Sequence, residues 1–162
     1  MTSDSPLDPS IELRPAEPHE AAAIAGIVRA AYARWVPAIG REPLPMRVDY
    51  EKALLEHRFD VIVDGRRGDR IVGVIETMQR DDHLWIENVA VAPEAQGRGI
   101  GRRLLVHAER IARAAYCFEA RLLTNAAFEA NVALYRRLGY VVDREEPYLN
   151  GITVYMSKKL AR

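Results

Sequence analysis

Apolar and polar positions alternate along this chain with two periods, and the switches between them mark out its elements. Leu84-Trp85-Ile86-Glu87-Asn88-Val89-Ala90-Val91 is apolar, β-branched and free of breakers, which predicts a buried strand over 83–91. Next, Ile100, Leu104, Leu105, Ala108, Ile111, Ala112 and Ala115 recur at helical spacing with arginines on the opposite face, predicting a helix from Gly97 to about Tyr116. Upstream, Ile11-Glu12-Leu13-Arg14 alternates and starts a first strand. Ile24, Ile27, Val28 and Ala31 share one face of a helix expected from Glu17 to Arg34. A loop with Pro37, Gly40, Pro43 and Pro45 then leads to a second helix from about Arg47 to Arg58.

Asp60 to Asp64 and Arg70 to Gln79 read as a hairpin joined by Gly65-Arg66-Arg67-Gly68-Asp69. After the long helix come a strand at Arg121-Leu122-Leu123-Thr124 and a helix from Glu129 to Leu138, closed by Gly139. Tyr140-Val141-Val142 and Ile152 to Met156 make two last strands around Pro147-Tyr148-Leu149-Asn150-Gly151. No repeat or linker interrupts this order, so residues 11–162 are expected to form one mixed α/β domain. Residues 1–10, polar and proline-punctuated, are expected to form a flexible tail.

Composition narrows the partners. With 23 basic and 23 acidic residues the net charge is zero, which points to neither nucleic acid nor an anionic membrane surface. Cys117 is the only cysteine, so the chain forms no internal disulfide and no thiolate metal cluster, and no metal is expected. The N-terminus lacks the basic and apolar regions of a signal peptide, and no apolar stretch reaches the ~20 residues of a membrane span. A cytoplasmic protein is expected. No feature fixes an interface, so assembly as a homodimer stays open.

The candidate chemistry lies between the buried strand and the long helix, at Gln96-Gly97-Arg98-Gly99-Ile100-Gly101. A helix start has unpaired N–H groups and the positive end of the dipole, and glycines let an anion approach closely. The glycine spacing is not the dinucleotide one, and no Gly-Lys-Ser/Thr follows for a nucleoside triphosphate. A glycine-rich turn without a ligand is the plain alternative. What the segment does fit is Gln or Arg, two residues, Gly, one residue, then Gly or Ala. Together with Val89-Ala90-Val91-Ala92-Pro93 before it, it resembles the acyl-CoA pyrophosphate loop of the GNAT superfamily of N-acetyltransferases. Ala133-Leu134-Tyr135-Arg136-Arg137-Leu138-Gly139-Tyr140 is similar to that family's Leu-Tyr-x-x-x-Gly-Phe/Tyr helix, and the likeness spans about residues 11–160.

The resemblance implies the GNAT fold: a mixed, mostly antiparallel sheet of about six to seven strands flanked by about four helices. It also implies acetyl-CoA as co-substrate and acetyl transfer to a primary amine of a small molecule by direct attack in a ternary complex. A protein N-terminus or lysine as acceptor, or a non-catalytic acyl-CoA-binding regulatory domain, are the alternatives. By the same resemblance the cofactor is held by Val89, Ala90, Val91, Gln96, Gly97, Arg98, Gly99, Ile100, Gly101 and Arg102, with Arg103 as a further source of charge. Val89 N–H would polarise the thioester carbonyl and Val91 would hold the pantetheine arm.

Tyr135 is the implied acid for the departing thiolate, and it too belongs to the cofactor set. Family members carry an asparagine about two turns earlier, where this chain has Phe128; Asn131, at i, i+4 from Tyr135, and Asn125 are the candidates for that contact. Glu87, two residues before Val89, is the candidate base, or else a strand carboxylate paired with an arginine. Asn88 cannot act as a base but could hold water or substrate. His83, beside Asp81 and Asp82, reads as a solvated turn residue.

Cys117 lies about 25 Å from the start of the long helix at roughly 1.5 Å per residue, too far to carry an acetyl group there. The acceptor is expected against the first two helices and the last hairpin, with Tyr32, Trp35, Glu87, Asn88 and Tyr148 as substrate-binding candidates. Tyr32 and Trp35 could equally be core residues. Asp49 and Glu51 would suit a cationic amine, and Arg41 or Arg47 a carboxylate; these signals cancel.

Overall fold

The computed structural model describes residues 9–162, so the expected tail lies, but for its last two residues, outside the described residues. Seven strands form a single sheet: β1 (Ile11–Pro15), β2 (Arg58–Asp64), β3 (Arg70–Gln79), β4 (Leu84–Val91), β5 (Glu119–Asn125), β6 (Val141–Tyr148) and β7 (Gly151–Lys159). Their order across the sheet is β1-β2-β3-β4-β5-β7-β6. Every neighbouring pair is antiparallel except β4 and β5, which run parallel. The helices are α1 (Ala21–Tyr32), the single turn α2 (Val36–Ile39), α3 (Tyr50–Glu56), α4 (Ile100–Ala114) and α5 (Glu129–Arg137). The expected mixed sheet with four helices of two turns or more is what the chain folds into.

Three expected helices are shorter than their periodicity suggested: α4 starts at Ile100, after the glycine loop, and ends at Ala114, and the first two are cut back as follows. Pro18 and a reciprocal cap between Glu17 and Glu20 make a single 3-10 turn, and α1 starts only at Ala21. Glu20 is held there by Arg14, whose two terminal nitrogens each donate to it at 2.8 Å. At the other end a 3-10 turn leads from α1 into α2, which Gly40 closes in the left-handed region at φ 72°. The second helix begins at Tyr50 rather than Arg47, because Asp49 caps it by accepting from Lys52 N–H at 3.3 Å. Leu44–Arg47, between Pro43 and Val48, is a separate 3-10 turn.

β2 and β3 are buried along almost their whole length, as strands covered on both faces must be. Both α1 and α4 pack on β3 and β4. Helix α4 contributes Ile100, Leu104, Leu105, Ala108 and Ala112, none more than 3% exposed. Burying each of its leucines stabilises the fold by about 1.5–3 kcal/mol. Gly73 on β3 makes this approach possible: a Cβ there would meet Ile100 Cγ2 at 2.7 Å. Among the described residues no helix is long and apolar enough to cross a membrane, and no His/Cys/Asp/Glu cluster is arranged to hold a metal.

Candidate active site

The site begins where the parallel pair parts. β4 and β5 are in register only at Leu84–Ala120, Trp85–Arg121 and Ile86–Leu122. Beyond Ile86, β4 continues along β3 while β5 continues along β7. One side of β4 therefore faces a gap. Ala92 N–H donates to Val72 O at 2.8 Å, so ladder alternation turns Ala90 toward β3 as well. The main-chain groups of the intervening Val89 and Val91 point the other way, into the gap.

A cleft of about 730 Å³ opens on that side, lined by Val89 to Val91, the glycine loop, the start of α4 and the inner face of α5. Gly97 and Gly99 have φ of 81° and 75°, the left-handed region where only glycine rests without strain. Arg103 N–H is the first in α4 to find a helical partner, Gly99 O at 3.0 Å. The N–H groups of Ile100, Gly101 and Arg102 are left at the positive end of a fifteen-residue helix. Gly101 also keeps the cleft narrow, since a Cβ there would lie 3.2 Å from Leu134 Cδ2 on α5. Gln96 braces the loop by donating to Val91 O at 3.3 Å.

The arginines divide. Arg102 lines the cleft, but Arg98 donates to Asp64 Oδ2 at 3.0 Å and Arg103 to Ile11 O at 3.4 Å, so both side chains are turned onto the sheet edge. The Arg98 hydrogen bond holds the Asp64 carboxyl below its usual range. Two further arginines, Arg34 and Arg137, line the cleft, and neither stood out in the sequence. Arg34 sits 4.2 Å over the ring of Trp35 and donates to Gln96 Oε1 at 3.5 Å. Apolar walls with cationic side chains and free N–H groups suit a pantetheine arm ending in phosphates.

A second cavity of about 160 Å³ lies further back along β4, toward its seam with β5, among Glu87, Asn88, Thr124, Phe128, Arg41 and Tyr148. It shares Tyr32, Val89 and Tyr135 with the cleft. Tyr135 is 6% exposed, and burial pushes its phenol up to about 12. Glu87 is exposed and is the extra residue of a β-bulge: Asn88 faces Glu76 and Ile86 faces Thr77, with Glu87 unpaired between them. Asn88 is buried and accepts from Tyr32 Oη at 2.7 Å, while its amide reaches Tyr50 Oη at 3.4 Å. Burial first, then Tyr135, Tyr50 and Glu87 nearby, raise the Tyr32 phenol well above its ordinary range. Across from Asn88, buried Glu76 is raised by desolvation, which His57 at 2.6 Å opposes.

Two expected positions fall on the opposite cavity from the one expected. Trp35 lines the cofactor-side cleft instead of the smaller cavity, because it stacks on Phe128 at 5.2 Å between ring centroids. Asn125 does the reverse, lining the smaller cavity while its Oδ1 accepts from Ala127 N–H at 2.9 Å. Asn131 does line the cleft, one turn from Tyr135. Phe128, where an asparagine was sought, is buried against Tyr32 and Trp35. His83 pairs with Asp82 at 2.6 Å just before β4, and Cys117 is buried beyond the far end of α4.

The family model of the GNAT acetyltransferases matches residues 26–140. This chain is a GNAT acetyltransferase. Solved structures agree on the fold. PaiA N-acetyltransferase from Thermoplasma acidophilum, in complex with coenzyme A, superimposes with a TM-score of 0.79 at 20% identity, over 93% of this chain and 99% of that one. Nourseothricin acetyltransferase gives a TM-score of 0.73 at 18% identity over 94% and 99%. The NatC complex bound to Gag peptide and CoA gives 0.68 at 20% identity over 94% and 99%. As a member of the family the chain is an acyltransferase, and the cleft suits acetyl-CoA.

Proposed function

We propose that this GNAT acetyltransferase moves an acetyl group from acetyl-CoA to the primary amine of a small molecule, by direct attack in a ternary complex. The carrying observation is the wall that its two cavities share at Tyr32, Val89 and Tyr135. Donor and acceptor can occupy their cavities together and meet there, so no covalent acetyl-enzyme is needed. Buried Cys117, beyond the far end of α4, takes no part.

Acetyl-CoA supplies an activated thioester carbonyl; the protein supplies the rest. Unpaired N–H groups of Ile100, Gly101 and Arg102, with the Arg102 side chain, hold the diphosphate, and Val91 guides the pantetheine arm. Val89 N–H polarises the carbonyl, a fixed donor worth several kcal/mol where charge develops. An alkylammonium with a pKa near 10.4 is neutral in only about one molecule in a thousand at pH 7. Glu87, directly or through water, takes its proton. Tyr135, held protonated by burial, gives one to the departing sulfur.

Cavity size favours a small acceptor. At about 160 Å³ the second cavity is much smaller than the 730 Å³ cleft, which suits a small amine better than a polypeptide segment. Among proteins of similar fold, nourseothricin acetyltransferase bears a small molecule's name and NatC was solved with a peptide, so fold alone does not choose. A non-catalytic acyl-CoA-binding domain would have no use for an acid and a base beside one wall. Residues 11–162 act together as one catalytic domain in this reading.

Calorimetric titration with acetyl-CoA tests the donor half, wild type against a Gly99→Asp/Gly101→Asp double variant. Micromolar binding that the variant loses, followed by thiol release with members of an amine library, is expected. A folded wild type that binds no acetyl-CoA would overturn the reading.

A further inference from the structure

The charged groups that face the acceptor cavity determine which amines it can select. Four residues were candidates from sequence, two of each sign, and the fold separates them. Asp49 is turned back to cap α3, and Arg47, Asp49 and Glu51 are exposed and outside the cavity lining. Arg41 does line it. Among the described residues its Nε, buried, has no hydrogen-bond partner, and its guanidinium lies over the Tyr148 ring, 5.6 Å from the centroid. The neighbouring acid, Glu42, is directed instead to Arg29 at 3.9 Å. Among the described residues one other charged side chain lines the cavity, Glu87 on β4.

A guanidinium is charged at every accessible pH, and a buried donor without an acceptor is rare enough in folded proteins to call for a reason. Its planar fork matches a carboxylate, and the Tyr148 face leaves that fork's edge available. Glu87 adjoins the shared wall where the amine must react, so the cavity carries one cation and one anion. We propose that the acceptor is a small amine that also carries a carboxylate, and that Arg41 is the residue selecting it. This rests on reading the smaller cavity as the acceptor site. Arg41 holds the carboxylate, and the amine nitrogen is directed toward Glu87, Val89 and Tyr135.

Matched pairs differing only in the carboxylate provide the test: phenylalanine against phenethylamine, leucine against isoamylamine, and γ-aminobutyrate against propylamine. Thiol release gives kcat/KM for each, and melting of the CoA-loaded protein gives binding without turnover. In wild type the carboxylate member of at least one pair is favoured by more than about tenfold in kcat/KM, or alone raises the melting temperature. Arg41→Gln brings that ratio near one, chiefly through KM. Arg41→Lys keeps part of it, as a point charge without the fork. Unchanged acetyl-CoA affinity in both variants establishes that they are folded. Equal or better use of the carboxylate-free amines, a preference that survives in Arg41→Gln, or a panel in which no carboxylate member reacts or shifts melting would each overturn the proposal. Failure of the acetyltransferase reading shows separately, as absent acetyl-CoA binding before any amine is added.

Discussion

The indole Nε1 of Trp85 donates to Oε2 of Glu87 at 2.6 Å, two residues along one strand and just past the last pair that joins β4 to β5. The bulge places the carboxylate at the smaller cavity, and the indole holds it there. If Glu87 takes the amine's proton, Glu87→Gln lowers kcat by about a hundredfold and removes one titration from the acid limb of its pH profile. Trp85→Phe keeps that limb and loses less rate, because the base is present but unheld. Measured kcat against pH checks both, and an unaltered profile in Glu87→Gln removes it as the base.

Tyr135 has its proton secured by burial. Its phenol is raised to about 12, so the acid form persists through the ordinary tyrosine value of 10.0. The alkaline limb of kcat therefore shows no loss of this acid below about pH 11. Tyr135→Phe should lower kcat by about a hundredfold with little change in KM for acetyl-CoA. Steady-state kinetics decide the point: an undiminished kcat would end its role as acid.

Gly73 lies outside the glycine loop yet sets where that loop's helix begins. A Cβ there would stand 2.7 Å from Ile100 Cγ2, an atom fixed near the helix backbone. Gly73→Ala should cost about 1–3 kcal/mol of stability by overpacking, and should weaken acetyl-CoA binding as the start of α4 is displaced. Denaturant unfolding and calorimetry report the two effects. Unaltered affinity at reduced stability would show that the loop positions itself independently.

The Arg14–Glu20 pair makes part of the fold acid-sensitive. Its hydrogen bond, above other causes, lowers the Glu20 carboxyl below its ordinary value of 4.5, so the folded state favours the ionised form. That contribution is complete above 4.5 and is lost as pH falls through the lowered value. Glu20→Gln should melt earlier than wild type at neutral pH and lose less on acidification to about pH 3. Thermal melts across that range measure it, and parallel curves would mean the pair contributes nothing.

Element types and their order were legible because buried faces repeat with period two or near 3.6, as Ile24, Ile27 and Val28 on α1 and Leu104, Leu105 and Ala108 on α4 illustrate. The glycine loop was legible because left-handed backbone at Gly97 and Gly99 demands that residue. Partnerships between elements were not. Helical periodicity says that Trp35 faces inward, but only the folded sheet brings Phe128 beneath it and carries it to the cofactor side. Arg98 reads as a phosphate ligand until β2 supplies Asp64, and Arg41 is indistinguishable from Arg47 until the loop closes over the second cavity.

The parting of β4 from β5 has a mechanical consequence. Four strands on one side and three on the other are stitched along the sheet by three registered pairs, from Leu84–Ala120 to Ile86–Leu122. That seam is the thinnest line in the sheet, and both cavities open along it. Val89 on β4 and Tyr135 on α5 line both cavities, so under the proposed function bound donor and acceptor would bridge two halves that the backbone alone joins sparingly. Ligand binding there would then stiffen the sheet at the place where its strands share the fewest pairs.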